Sequence, residues 1–368
     1  MDNTFLIKNI CKIGSSKRIY ADEYTKTGIP FFRSTEVIEL ANKKQFKPKF
    51  YISKNKYNEI SQKFPIPQNN DILIAAIGAN MGTVYFVNLE YPFYFKDGNV
   101  IWLRDFDNII NSKFLYYWLI TKKGYKELCN TAIGSAQKAL TIDKIGNIKI
   151  KLPSIELQQH IVDIIGSIDD MIENNNKILE KIDKLGVIKY KQLNDTLDEF
   201  CNFAIFKKGK EALSQNYTEE NNNDNIHFIR VKDLNSLTNT YIPKNLNIPI
   251  ANPCDILISF DGAIGRINYG LYGAYSSGIY KVIPCFKNNY GILYWALKDN
   301  YNQQVMLEHT NGTTILHGAK AIPYLKIKKH SSKDIDFYNN IFNYSLNIKL
   351  ENIKLNILKQ LYLKKFFR

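Results

Sequence analysis

One series of short motifs runs twice through this chain, in the same order, and that restricts the fold to two copies of one unit. Ile10-Cys11-Lys12-Ile13-Gly14 is matched by Ile205-Phe206-Lys207-Lys208-Gly209, and Ile29-Pro30-Phe31-Phe32-Arg33 by Ile226-His227-Phe228-Ile229-Arg230. Asp71-Ile72-Leu73-Ile74 returns as Asp255-Ile256-Leu257-Ile258, each followed by a glycine-rich stretch. Tyr117-Trp118 returns as Tyr294-Trp295, and Ile148-Lys149-Ile150-Lys151 as Leu325-Lys326-Ile327-Lys328. The spacing between copies falls from 195–197 to 177 residues along the chain, as expected of homologous units whose loops differ in length.

Each copy opens with a long stretch of strands and loops and closes with a helix. Asp-Ile-Leu-Ile is a compact apolar run bounded by turn residues, which reads as a buried strand. Trp102 and the aromatic cluster Phe114 to Trp118 read as core, the cluster on a helix. Pro153-Ser154 supplies a stop and a cap, and a helix is expected from Leu157 to Leu193, about 55 Å at 1.5 Å per residue. Apolar residues fall at 161, 164, 168, 171, 178, 182 and 185, which is heptad spacing. Asn175 takes the missing core position; it either sits in a helix–helix seam and fixes register, or faces water on an ordinary core helix. The second closing helix is expected from near Asp334 to the C-terminus and to be short, with Ile341, Ile348, Leu355 and Tyr362 on its stripe and Lys359 interrupting it. Asn175 maps onto Asn352. Two such helices, neither able to bury its stripe alone, are expected to pack together, antiparallel if a two-fold axis relates the copies.

At 368 residues the chain exceeds one ordinary domain, and 45% apolar with 23% charged residues is globular rather than disordered composition. The 49 Lys and Arg against 35 Asp and Glu leave a net charge of +14, which favours a polyanionic partner, nucleic acid before a membrane surface. A Lys- and Asn-rich composition with only six Arg also fits a biased genome. No apolar run exceeds the length of Ile72 to Ala79, counting Gly78, far short of the ~20 residues that span a bilayer. No signal peptide is evident, and the five scattered cysteines lack any C-x-x-C, so a cytoplasmic location is expected. The five histidines show no metal-ligand spacing. Signatures of a nucleotide-binding P-loop, an amino-methyltransferase, a nuclease Glu-x-Lys pair and a G-x-S-x-G hydrolase are all missing from the sequence.

The ordered motifs, above all Gly28 to Val37, Ile226 to Leu234, Asp255 to Arg266 and Leu152-Pro153-Ser154-Ile155-Glu156-Leu157-Gln158-Gln159-His160-Ile161, resemble the specificity subunits of type I restriction–modification systems, the HsdS family. The resemblance covers nearly the whole chain. It implies an α+β protein: two tandem target recognition domains of mixed α/β structure, separated by two long helices pairing as an antiparallel coiled coil with a pseudo-two-fold. The expected division is 1–153 and 196–330 for the recognition domains, 154–195 and 331–368 for the spacer helices. The family's recognition domains each read one half of a bipartite site in double-stranded DNA, and its helices set the gap and dock two methyltransferase subunits, which restriction and translocase subunits join. No catalytic site and no metal are expected in this chain; S-adenosylmethionine and ATP belong to the partner subunits. The second copy departs from the pattern: His330 stands where Pro153 stands in the first, and the Leu-Gln-Gln element is lost. Two other classes stay open, a DNA-modifying enzyme with a divergent site and a coiled-coil adaptor with no DNA role.

Candidate DNA contacts follow from residue chemistry. Arg33 and Arg230 hold matching positions and either read guanine bidentately or anchor a carboxylate or carbonyl within their own domain. Arg266 follows the loop Asp261-Gly262-Ala263-Ile264-Gly265, whose counterpart Gly78 to Thr83 carries Asn80; such glycines serve tight turns or backbone approach to phosphate. Lys232 lies beside Arg230. A second loop pair holds Gln137 and Lys138 in one copy and Thr313, Thr314, His317 and Lys320 in the other. Gln137 suits adenine, and Lys138 and Lys320 suit phosphate. Asn175 and Asn352 are the expected register residues of the helix pair.

Overall fold

A computed structural model describes residues 3–42, 47–88, 90–132, 138–234, 239–286, 289–310 and 317–368. The chain divides into two units, Met1–Asp170 with Ile357–Arg368, and Met171–Asn356.

Unit 1 is built on an antiparallel sheet in which Lys12–Gly14, Val100–Arg104, Ile72–Ala75 and Val84–Phe86 lie side by side in that order. The predicted strand within Asp71 to Ile74 is therefore central, and it is buried on both faces. Side chains alternate across a strand, so Ile72 and Ile74 join a core with Phe114, Leu115 and Trp118, whereas Leu73 joins a second core with Phe32, Val37 and Trp102. Asp71 stops the preceding loop: its carboxylate accepts the Gln68 N–H at 2.9 Å. A second sheet pairs Ile29–Phe32 with Tyr51–Ile52 antiparallel and with Tyr94–Phe95 parallel. The aromatic cluster forms the helix Ser112–Leu119, capped by the Asn111 side chain. Thr4–Leu6 closes on Lys149–Lys151.

Unit 2 repeats this plan. Ala204–Lys208, Ile279–Pro284, Ile256–Ser259 and Ile267–Asn268 form the matching antiparallel sheet in the same order. Asn225–Ile229 again pairs parallel with the strand that follows the sheet's hairpin, Gly273–Tyr275. The helix Tyr290–Lys298 carries Tyr294 and Trp295, and Leu197–Glu199 closes on Lys326–Lys328. The topology thus carries the duplication that the motifs announce.

The closing helices are Ile155–Lys191 and Ser332–Phe366, of 37 and 35 residues. The second is not short, contrary to expectation: polar residues on its stripe weaken the sequence pattern without breaking the helix. The Ser154 hydroxyl accepts the Leu157 N–H at the start of the first, as the cap reading requires. Their pairing is antiparallel within each unit. In unit 2, Asn175 Nδ2 donates to Asn352 Oδ1 at 3.0 Å and Asn352 Nδ2 donates to Asn176 Oδ1 at 3.0 Å, while the Tyr190 and Tyr338 rings meet at 6.2 Å. In unit 1, Lys359 Nζ donates to Asp169 at 2.6 Å, and Leu363 and Phe367 pack in the core with Ile161, Val162 and Ile165. Lys359 therefore occupies the seam as a paired cation.

The seam of the first helix differs from the expected one at alternate positions. Ile161, Ile168 and Ile182 are buried as predicted, but the other buried positions are Ile165, Ile172 and Gly186, while Met171 and Leu185 are exposed. The sequence offers apolar doublets, Ile164-Ile165, Met171-Ile172 and Ile178-Leu179, between which a heptad count cannot choose. Gly186 helps decide: a Cβ there would fall inside the ring of the buried Trp295, so this face of the helix is the one pressed against Tyr290–Lys298.

Lys349, on the second helix in unit 2, donates to Asn268 Oδ1 at 2.7 Å and to the Tyr269 carbonyl at 3.2 Å, with its ammonium 3.7 Å from the Tyr269 ring centroid. Burial, with Lys298 nearby, pushes its pKa down to about 7 against the pull of Asp183. Between about 7 and the ordinary lysine range the unfolded chain then holds more protons than the folded one, so stability rises with pH across that window. Urea unfolding at pH 7 and pH 9 will show this rise in the native chain and a flatter dependence in Lys349→Met; equal slopes would contradict the assignment.

Candidate nucleic-acid interface

In each unit one end of the main sheet meets the glycine-rich loop and the described end of the second loop that sequence analysis singled out, at Lys138 in unit 1 and His317 to Lys320 in unit 2. In unit 2, Gly209 N–H donates to the Ile279 carbonyl (2.9 Å), Phe260 N–H to Gly278 (3.0 Å) and Gly318 N–H to Phe260 (2.6 Å). An isolated bridge then joins Asp261 to His317. In unit 1, Ala76 N–H donates to the Asn99 carbonyl (2.8 Å) and Leu140 N–H to Ala76 (2.9 Å), and the matching bridge joins Ile77 to Ala139. The glycine-rich loop is a turn in both: Gly82 N–H donates to Ala75 and Gly265 N–H to Ser259. Gly78, Gly82, Gly262 and Gly265 all take positive φ, between 70° and 90°, which explains why glycine recurs there. The buried Ser259 hydroxyl braces the second turn, donating to the Ala263 carbonyl at 2.5 Å and accepting the Arg266 N–H at 3.0 Å.

Around these turns the candidates separate by what they touch. Asn80 and Lys138 are exposed in unit 1, and Lys232 and Lys320 in unit 2. Arg266 is half-buried, and its guanidinium forms no ion pair among the described residues. Gln137, Thr313 and Thr314 lie outside the described residues. His317 is exposed, with Nδ1 bonded to Asp261 Oδ1 at 2.8 Å.

Arg33 and Arg230 make the same construction. Arg33 Nη2 donates to Glu36 Oε1 at 2.8 Å, its backbone N–H donates to Oε2 at 2.9 Å, and its guanidinium lies over the Phe50 ring. Arg230 donates backbone N–H to Asp233 Oδ2 at 2.9 Å and Nη2 to Thr240 Oγ1 at 2.5 Å, over the Tyr217 ring. Glu36 and Asp233 are buried. Burial alone would raise the Glu36 carboxyl, but Arg33 and backbone N–H groups outweigh it and hold it below the ordinary range. Each arginine therefore clamps the start of the segment that follows its strand, and the Phe32 and Ile229 carbonyls beside them accept the Lys96 and Ser276 N–H groups.

Sequence reasoning overlooked Asp261, which is repeat-equivalent to apolar Ile77, and the exposed Lys208 and Lys210, which flank Gly209 on the same sheet end. The lysines carried a signal, since their glycine was already one of the repeated motifs. Asp261 carried none, because its role depends on a residue 56 positions away.

Two copies of one α+β unit, each presenting the same pair of loops at a sheet end, with long antiparallel helices closing both, define a tandem-repeat protein built around paired loop surfaces. Residues 3–184 match the family model described as the type I restriction modification DNA specificity domain. Over that stretch the chain is similar to the specificity subunits of type I restriction–modification systems. Among its relatives, a putative type I restriction enzyme specificity subunit, S.HindORF215P, from Haemophilus influenzae is 29% identical over 173 residues, which is 46% of this chain and 41% of the relative. The MjaVIII specificity subunit of Methanocaldococcus jannaschii is 27% identical over 207 residues, 51% of this chain and 46% of the relative. The chain thus matches less than half the length of either. The solved S subunit of a type I restriction–modification system from M. genitalium shares the fold, with a TM-score of 0.58 at 17% identity over 99% of this chain and 96% of that one. No helix among the described residues is long and apolar enough to cross a membrane.

Proposed function

We propose that this chain is the DNA-specificity subunit of a type I restriction–modification complex. Its two sheet-end loop surfaces each read one half of a bipartite site in double-stranded DNA. The observation that carries this reading is the repetition of one loop-pair construction in two units of a chain whose residues 3–184 match a DNA specificity domain, with exposed Lys138 beside it in unit 1 and exposed Lys208, Lys210, Lys232 and Lys320 in unit 2. The surplus of 14 positive charges supports phosphate contact, which positions a protein on DNA, while a few side chains at base edges select sequence.

Methyltransferase subunits dock on the long helices, and restriction and translocase subunits join through them. Exposed apolar side chains support this: Met171 and Leu185 in unit 2, and Ile357 and Leu361 in unit 1. The chain has no catalytic role of its own; S-adenosylmethionine and ATP act on the partners, in the cytoplasm.

The test has two arms. Deleting the gene removes a bipartite methylation motif from the host genome, read by single-molecule sequencing. With its partners bound, the chain binds that motif with an affinity that falls steeply with salt, and Lys138→Ala and Lys320→Ala each lower the slope of log affinity against log salt by about 1. Unaltered methylation after deletion, or salt-independent binding, would contradict the proposal.

A further inference from the structure

The bridge between the two loops is where the units differ chemically. In unit 1 it is Ile77 with Ala139; in unit 2 it is Asp261 with His317. A duplicated scaffold that keeps the bridge between its loops and changes the side chains on it has altered what it presents outward.

The Asp261–His317 pair presents a defined chemistry. An ionised carboxylate only accepts hydrogen bonds, so the Asp261 oxygen 2.8 Å from Nδ1 requires that nitrogen to carry the proton. In the neutral ring Nε2 is then a bare acceptor. The Asp261 side chain is 19% exposed and that of His317 is 63% exposed, so the carboxylate forms the base of the pair and the imidazole its outer face. Asp261 is itself held: a Cβ on Gly278 would lie 3.2 Å from its Cβ and 2.9 Å from a methyl of Val231, so these three residues pack in one place. Exposed Lys232 adjoins Val231, and exposed Lys320 lies three residues beyond His317. Two exposed lysines, suited to phosphate, thus lie within three residues of Val231 or His317 along the chain.

We infer that Asp261 and His317 form a specificity-determining element of unit 2: His317 Nε2 accepts a hydrogen bond from an exocyclic amino group at a base edge, N6 of adenine or N4 of cytosine, and Asp261 is the positioning residue that fixes the ring and its tautomer. Amino groups are the major-groove donors of those two bases, so one position of one half-site is restricted to A or C on the contacted strand. Unit 1 has Ile77 and Ala139 at the bridge and no such element among its described residues, and its half-site follows a different rule. This rests on the DNA-reading role proposed above.

The experiment is the methylated-base map of the host genome, with the native gene, its deletion, His317→Ala and Asp261→Asn in turn. His317→Ala is expected to make a single position of one half-site degenerate, with discrimination there falling on the order of 10- to 100-fold and the other half-site unchanged. In Asp261→Asn the new side-chain amide can donate to Nδ1, which frees the ring to carry its proton on Nε2. That variant is therefore expected to admit G or T at the same position while A or C remain in use. An unchanged motif in both variants would overturn the inference, and so would an even loss of methylation across all sites, which is what a bridge that merely pins two loops together would give. If deletion of the gene removes no bipartite motif, the DNA-reading role itself fails, which separates that outcome from failure of the pair alone.

Discussion

Replacing Asp71 by alanine destabilises unit 1 by about 3–5 kcal/mol, the loss expected when one partner of a buried ion pair is removed. Asp71 Oδ2 meets Arg104 Nη2 at 2.5 Å, and the two side chains are 4% and 5% exposed. Arg104 also lies over the Trp102 ring, 4.5 Å from its centroid, so a largely buried guanidinium is left without its carboxylate partner. The backbone N–H of Gln68 loses its acceptor in the same change. Replacing both partners, as Asp71→Ala with Arg104→Met, restores much of the loss, because no charge is then stranded. The matched Asp255→Ala costs unit 2 less: its cation is Lys281, whose side chain is 17% exposed and keeps a second acceptor in the Ile250 carbonyl at 3.2 Å. Hydrogen exchange of Ile72–Ala75 and Val100–Arg104, read by mass spectrometry, measures the opening free energy. A difference below about 1 kcal/mol between the native chain and Asp71→Ala would place the pair among weak surface contacts.

The repeat made the larger organisation legible because it depends on local order alone. Apolar runs bounded by turn residues became the central strands Ile72–Ala75 and Ile256–Ser259, and an aromatic cluster at helical spacing became Ser112–Leu119. What stayed hidden depends on the partner surface. Periodicity located the first long helix but not which member of each apolar doublet faces inward; Trp295, packed where Gly186 leaves room, helps settle that from outside the helix. The stripe of the second helix looked weak because Lys359 interrupts it, yet Lys359 has an answering group in Asp169; Ser345 and Asn352 on the same helix likewise meet the Tyr269 hydroxyl and Asn175.

The candidate surface was legible in its loops and not in its side chains. Glycines at matching places marked the turns, since positive φ leaves a trace in composition. Arg33 and Arg230 stood out by rarity, and both guanidiniums engage partners inside their own unit, Glu36 for one and Asp233 with Thr240 for the other. The Asp261–His317 pair shows the limit from the other side, because it joins loops that only the fold brings together.

The central claim is that two separable readers lie in one chain, and exchanging one of them tests it most directly. Residues 1–153 would be replaced by the first recognition domain of another type I specificity subunit, keeping the helix that begins at Ile155 and all that follows. The methylated motif in the host genome would then be mapped by single-molecule sequencing. The account predicts that one half of the bipartite motif is exchanged completely, while the other half and the gap between them stay as they were. A motif altered in both halves, or in neither, would contradict it.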